Sequence, residues 1–202
     1  NVESYISDRP DSALTVIQSI GADDLSSREL KARHALLLSQ ALDKNFIDLQ
    51  SDSIIAPAVK FFEKSGDREA LFKAYYYHAR VLSNAGRYTE AMQIYLKAEE
   101  MSGKVKDLLA VGLLHSQIGG LNSMYFNYPK AIEYYQKAQE YYRRAGKDTH
   151  MHVCDLNLAQ AYYENGQKEK GIALYMDCLE WAHSIGYEAI FESCLDQIFL
   201  YS

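Results

Sequence analysis

The sequence has 202 residues, of which 48% are hydrophobic and 24% charged, with a formal net charge of −6 and only three prolines. This composition fits a soluble helical protein without a low-complexity tract, and no apolar run approaches the roughly 18 residues that span a bilayer. Acidic and basic residues are interspersed, so we expect no nucleic-acid interface, which needs a basic stripe.

Apolar residues recur with helical spacing along the whole chain, and this pattern predicts an all-α fold. Asp8 and Pro10 mark the start of a first helix, whose apolar face ends at Gly21. Two longer helices are predicted at about 27–44 and 51–64.

One residue pattern then occurs three times at a fixed interval of 40 residues. It reads Tyr88-x-x-Ala91-x-x-x-Tyr95-x-x-Ala98, Tyr128-x-x-Ala131-x-x-x-Tyr135-x-x-Ala138 and Lys168-x-x-Gly171-x-x-x-Tyr175-x-x-Cys178. Such a period is typical of stacked helix pairs, each of which buries its apolar face against the next.

We expect Ala91, Ala131 and Gly171 at helix crossings, because a larger side chain there would push the helix axes apart. The tyrosine four residues later should bury its ring and bring its hydroxyl to the rim. The matching small residues on the first helices are Ala79, Gly119 and Ala159.

Glycines punctuate the repeats, and each is expected to take the left-handed conformation that ends a helix. The glycines that close the second helix of a pair are Gly66, Gly103, Gly146 and Gly186. Gly86 and Gly166 separate the two helices within a pair, and in the middle pair Phe126 and Asn127 take the place of that glycine. We therefore predict one domain over 1–202. The clearest repeats are 67–103, 104–146 and 147–186, preceded by degenerate helical pairs in 1–66 and followed by an unpaired last helix at 187–202.

The small crossing residues with flanking aromatics resemble the tetratricopeptide repeat, most clearly from Leu71 to Gly186. The 40-residue unit is longer than the usual 34 residues and is similar to long-helix variants in bacterial regulatory and cell-envelope proteins. The segments 5–14 and 37–44 resemble bacterial repeat proteins that follow a lipoprotein signal. This resemblance implies an α-α superhelix located in the cell envelope or periplasm, with a cytoplasmic location as the alternative. Because the chain begins at Asn1, a removed leader and a cloning boundary both stay open.

The sequence predicts no metal site, no cofactor and no catalytic site. Cys154, Cys178 and Cys194 fall on apolar helix stripes and are expected to be buried free thiols. The segment 148–155 holds the residue types of metal ligands, but on a helix His152 points away from the face that Cys154 shares with His150. We find no phosphate loop, nucleophile elbow or metalloprotease motif, so we predict that the chain is not an enzyme.

The resemblance places a binding groove on the first helix of each pair. The candidate groove residues are Lys73, Tyr76, Arg80, Asn84, Ser116, Ser123, Met124, Leu156, Gln160 and Tyr163. We expect Arg80 and Asn84 to take backbone or carboxylate groups, and Tyr76 and Tyr163 to supply apolar anchors. The register of the middle pair is open by about three residues, because Gly103 to Ala131 is longer than its counterparts.

These residues predict a non-catalytic scaffold that binds a peptide or protein segment in its concave groove. The alternative is a sensory or regulatory segment of a larger signalling or transcription-regulating protein whose output module lies beyond Ser202. Self-assembly through the unpaired last helix is a third possibility. The identity of the partner does not follow from the sequence.

Overall fold

The structure is a computed structural model that describes residues 2–21 and 24–201, and within them it is helical with no strand, as predicted. A short 3-10 helix, Val2–Ser4, comes first. The α-helices are α1 (Pro10–Gln18), α2 (Arg28–Lys44), α3 (Ala56–Ser65), α4 (Arg68–Asn84), α5 (Tyr88–Ser102), α6 (Leu108–Met124), α7 (Tyr128–Arg144), α8 (Asp148–Glu164), α9 (Lys168–Ile185) and α10 (Glu188–Tyr201). None of these described helices is both long and apolar enough to cross a membrane.

The chain forms two compact units, Asn1–Lys106 and Asp107–Ser202. In the first unit each helix packs against the next along the chain, and α2 also contacts α4. In the second unit α6 to α10 pack in the same sequential way, and α6 also contacts α8. Each unit therefore has the antiparallel helix pairs expected of a repeat array.

The first helices of the pairs, α2, α4, α6 and α8, are called the A helices here. They begin 40 residues apart and each has 17 residues. Side-chain caps fix three of the starts: Ser27, Asp67 and Asp107 accept hydrogen bonds from backbone N–H groups three residues later, at 3.0 to 3.1 Å. The capping residues therefore recur with the same 40-residue period as the apolar face.

All four A helices end in the same turn, in which a residue with positive φ follows the helix. Gly86 and Gly166 hold that position as predicted, whereas Phe46 and Phe126 hold it in α2 and α6, at φ 57° and 58°. The backbone N–H one residue further on donates to the carbonyl five residues back, for example Arg87 to Leu82 at 2.8 Å. This is the Schellman arrangement, which satisfies carbonyls at the end of a helix.

One expected glycine conformation and one expected helix start were wrong. α5 ends at Ser102 and Gly103 follows it, as predicted, but Gly103 has φ −62° rather than a left-handed conformation. The chain continues through a tight turn in which Val105 donates to the Ser102 carbonyl at 3.0 Å. That turn absorbs the three extra residues, so α6 is in register with the other A helices. The helix expected at 51–64 begins at Ala56, because residues 52–55 form a turn and Pro57 favours a helix start.

Small residues do lie at the helix crossings. Ala91 and Ala131 are fully buried. A Cβ on Gly171 would lie 2.7 Å from the carbonyl oxygen of Ala159, so α9 rests directly on the α8 backbone at this point. The prediction that the tyrosine hydroxyl reaches the rim was wrong for Tyr95, whose ring and hydroxyl are both buried.

Candidate functional site

The predicted groove residues of α4 contact the chain itself. Arg80 donates from Nε to the Asp43 Oδ1 at 2.8 Å, and Asn84 donates to the Asp48 Oδ1 at 2.7 Å. Arg80 and Asp43 are 25% and 20% exposed, so the pair is half-buried. The carboxylates that Arg80 and Asn84 were expected to take from a partner are therefore supplied by α2 and the turn after it.

Tyr76 is 6% exposed and packs edge-on against Tyr77, with ring centroids 5.0 Å apart. Burial raises the pKa of its hydroxyl above the ordinary value. Lys73, one turn earlier, is half-buried. The aromatic ring of Tyr76 thus belongs to the core of the first unit.

In the second unit the predicted residues are more accessible. On α8, Leu156 and Tyr163 are half-buried and Gln160 is exposed. Their spacing of four and three residues places them on one face of the helix. Lys168 holds its ammonium 5.0 Å from the Tyr163 ring centroid.

The residues predicted on α6 have the same register. Ser116 and Ser123 are half-buried and lie 40 residues before Leu156 and Tyr163, and Met124 is 49% exposed. The structure therefore places the α6 and α8 residues at equivalent positions of two A helices that contact one another.

A basic cleft of about 800 Å³ lies between α2 and α3. It is lined by Arg28, Lys31, Ala32, Pro57, Lys60, Phe61, Lys64 and Ser65. None of its four cations forms an ion pair with any residue in 2–21 or 24–201. The sequence analysis missed this surface because the two halves are some 30 residues apart. The available signal was the helical spacing of Arg28 with Lys31 and of Lys60 with Lys64.

A cluster of buried polar side chains lies between α7, α8 and α9. Asp155, only 5% exposed, accepts a short hydrogen bond from the Gln139 amide and has its Oδ2 3.2 Å from the His152 Nδ1. The His152 ring stacks on Trp181 with centroids 4.1 Å apart. Burial raises the pKa of the Asp155 carboxyl, opposed by the Gln139 hydrogen bond and by His152.

Cys178 completes this cluster from α9. It is fully buried, and its Sγ lies 3.7 Å from the backbone carbonyl oxygen of His152. Cys154 and Cys194 are also buried free thiols, as predicted for all three cysteines. His152 and Asp155 therefore converge with Cys178, whereas His150 is exposed and Cys154 faces the Tyr135 carbonyl at 3.5 Å.

Two segments match the sequence model of the tetratricopeptide repeat, residues 72–104 and 156–183. The first covers most of α4 and α5, and the second most of α8 and α9. The predicted resemblance to this repeat is confirmed. A comparison with curated protein sequences finds no significant match.

Several solved structures are similar to this chain in fold. A signal transduction ATPase with numerous domains and a tetratricopeptide repeat sensor, from Pyrococcus horikoshii, matches at TM-score 0.75 and 20% identity, over 92% of this chain and 28% of that one. Aspartyl phosphate phosphatase F from Bacillus subtilis matches at TM-score 0.76 and 16% identity, over 98% of this chain and 53% of that one. A Rap protein complexed with Competence and Sporulation Factor matches at TM-score 0.72 and 11% identity, over 99% and 62%. The chain thus spans less than two thirds of the length of each of these proteins.

Proposed function

We propose that this tetratricopeptide-repeat protein is a non-catalytic scaffold that binds a protein or peptide segment along the faces of its A helices. The observation that carries the proposal is the accessible face of α8, where Leu156, Gln160 and Tyr163 lie one turn apart. An aliphatic group, an amide and an aromatic ring in a row suit an extended chain. The amide can hydrogen-bond to peptide groups, and the two others can hold apolar side chains.

The α4 residues have a different part in this proposal. Arg80 and Asn84 already hold Asp43 and Asp48, so a carboxylate of a partner has to compete with these internal acceptors. Tyr76 is buried and supplies shape rather than contact. Binding is therefore better tested on α8, where a truncation changes the surface and leaves the core intact.

The test begins with peptides selected by display against the wild-type chain. A variant carrying Gln160→Ala and Tyr163→Ala should bind the selected peptides about tenfold or more weakly, since truncation of an anchor costs on the order of 1 to 3 kcal/mol. The matched control is Met176→Ala on α9, a side chain that is 51% exposed. Equal affinities of the double variant and the wild type, measured by calorimetry, would contradict the proposal.

A regulatory role within a longer protein is the second candidate. The similar structures favour it: one carries a repeat sensor, and another holds a bound factor. The gene sequence that follows Ser202 separates the two candidates. A helix-turn-helix or membrane helix encoded there supports the regulatory role, and a stop codon supports the scaffold.

Self-association through α10 is a further possibility for the partner. Ile190 and Cys194 are buried against α9, whereas Phe199 and Leu200 are 86% and 71% exposed. If a second copy covers these side chains, light scattering will show a mass that rises with concentration, and Phe199→Ser will abolish the rise. A constant monomer mass would count against self-association.

A further inference from the structure

We infer that His152, Asp155 and Cys178 form a binding site for a thiophilic divalent cation such as Zn²⁺. The three side chains offer one imidazole nitrogen, one carboxylate oxygen and one thiol sulfur, and these three atoms lie within 4.8 Å of one another. Nitrogen, oxygen and sulfur donors together are the ligand types that zinc accepts in proteins.

The distances suit a tetrahedral ion after a small closure. With metal–ligand bonds of about 2.0 to 2.3 Å, two ligands of a tetrahedral zinc are about 3.5 Å apart. His152 Nδ1 and Asp155 Oδ2 already lie 3.2 Å apart. The sulfur of Cys178 lies within 4.8 Å of the other two ligands, so it has to approach them by at most about 1.3 Å, which a change of side-chain torsion can supply.

Neighbouring groups orient the ligands. The Gln139 amide donates a hydrogen bond to the Asp155 Oδ1. This contact leaves the Asp155 Oδ2 directed at His152. Trp181 stacks on the imidazole and fixes the plane of its ring. Such supporting contacts are what positions the ligands in known metal sites.

The cluster is also left unsatisfied by the chain itself. The His152 Nδ1 is buried, and despite its short distance to Asp155 it has no well-aligned hydrogen bond within the described residues. Asp155 is buried as well, with no lysine or arginine in an ion pair with it among those residues. A divalent cation would accept the nitrogen lone pair and neutralise the carboxylate and the thiolate, provided that the thiol loses its proton to solvent on binding.

Access and the fourth ligand follow from the position of the cluster. The His152 side chain is 18% exposed, whereas Asp155 and Cys178 are buried, so we expect an ion to enter past the imidazole. A water molecule would fill the fourth position, as in open three-ligand sites. The ion would join α8, which carries His152 and Asp155, to α9, which carries Cys178.

The experiment titrates the reduced 202-residue chain with Co²⁺, which takes tetrahedral zinc sites and gives a strong near-ultraviolet band when a thiolate binds it. We expect one cation per chain, a thiolate-to-cobalt band and quenching of Trp181, the single tryptophan. Added Zn²⁺ should remove the band and raise the midpoint of thermal unfolding.

Matched variants assign the ligands. Cys178→Ser and His152→Ala should abolish the band, whereas Cys154→Ser, Cys194→Ser and His150→Ala should retain it. If Cys178→Ser fails to fold by circular dichroism, Cys178→Ala replaces it. The inference is overturned if the wild type shows no band, or if the band survives in a folded Cys178 variant.

Discussion

Phe46 and Phe126 occupy positions that the other two A helices give to glycine. Both have φ near +57°, and they are 92% and 78% exposed. A side chain in this region clashes with its own backbone at a cost of roughly 1 to 2 kcal/mol, and neither ring recovers that cost by burial. These residues therefore strain the turn after the helix.

Phe46→Gly should stabilise the protein by up to about 1 kcal/mol, because relief of the strain outweighs the added freedom of the unfolded chain. Urea denaturation measures the change. Leu96→Gly, at an exposed position within α5, should destabilise by about 1 kcal/mol instead. A loss of stability in both variants would show that Phe46 is not strained.

Two glycines within helices, Gly171 and Gly120, should respond in opposite ways to replacement by alanine. Gly171→Ala should destabilise by on the order of 1 to 3 kcal/mol, because the new Cβ would lie 2.7 Å from a backbone oxygen that cannot move independently. Gly120→Ala should stabilise by about 0.5 to 1 kcal/mol, since its Cβ would meet only the Tyr135 hydroxyl at 3.8 Å. Thermal melts of the two variants that shift in the same direction would contradict the crossing geometry.

For single residues, the sequence predicts which side chains are buried better than it predicts which side chains form hydrogen bonds with one another. Ala91 and Ala131 are placed correctly because spacing alone puts them on the buried stripe. The acceptors of Arg80 and Asn84 could not be predicted, because Asp43 and Asp48 lie more than 35 residues away and only tertiary packing brings them together.

The A helices keep one length throughout, and the variation lies in their partners. α3 has 10 residues and α5 has 15, against 17 and 18 in α7 and α9. The apolar period specifies all four A helices and side-chain caps mark the starts of three of them, so the bounds of the A helices follow largely from the sequence. The start of α3 was predicted wrongly because a turn replaces the first helical residues there, and the left-handed conformation was predicted wrongly for Gly103, which ends α5 with φ −62°.

The α3 side of the basic cleft offers a test at the level of a helix. Lys60 and Lys64 lie one turn apart, and neither forms an ion pair with a described residue. Lys60→Glu creates a favourable pair with Lys64 and reduces the local positive charge, so it should stabilise by about 0.2 to 0.5 kcal/mol at low salt. The gain should fall in high salt, and a gain that is independent of salt would point to another cause.

For the whole molecule, the buried thiols should make the free energy of unfolding fall as the pH becomes alkaline. Burial raises the pKa of Cys154 to about 12 and that of Cys194 to about 11. An unfolded cysteine has a pKa near 8.5. The stability these thiols contribute is therefore fully present below about pH 8.5 and is lost as the pH rises towards the folded values, because only the unfolded state ionises.

The urea midpoint should accordingly fall between about pH 8 and about pH 10. A variant with Cys154→Ala and Cys194→Ala will start from a lower stability, because burial is lost. It should nevertheless show a smaller fall over the same interval. Equal falls in the variant and the wild type would indicate that other groups cause the dependence.

Trp181 lies in the second unit and is the only indole in the chain, whereas helices fill both units. Unfolding followed by tryptophan fluorescence consequently observes residues 107–202 alone, and circular dichroism observes the entire chain. Coincident curves mean that folding is cooperative across both units, and separated curves mean that each unit melts by itself. One side chain therefore measures how far cooperativity extends along the array, without any added label.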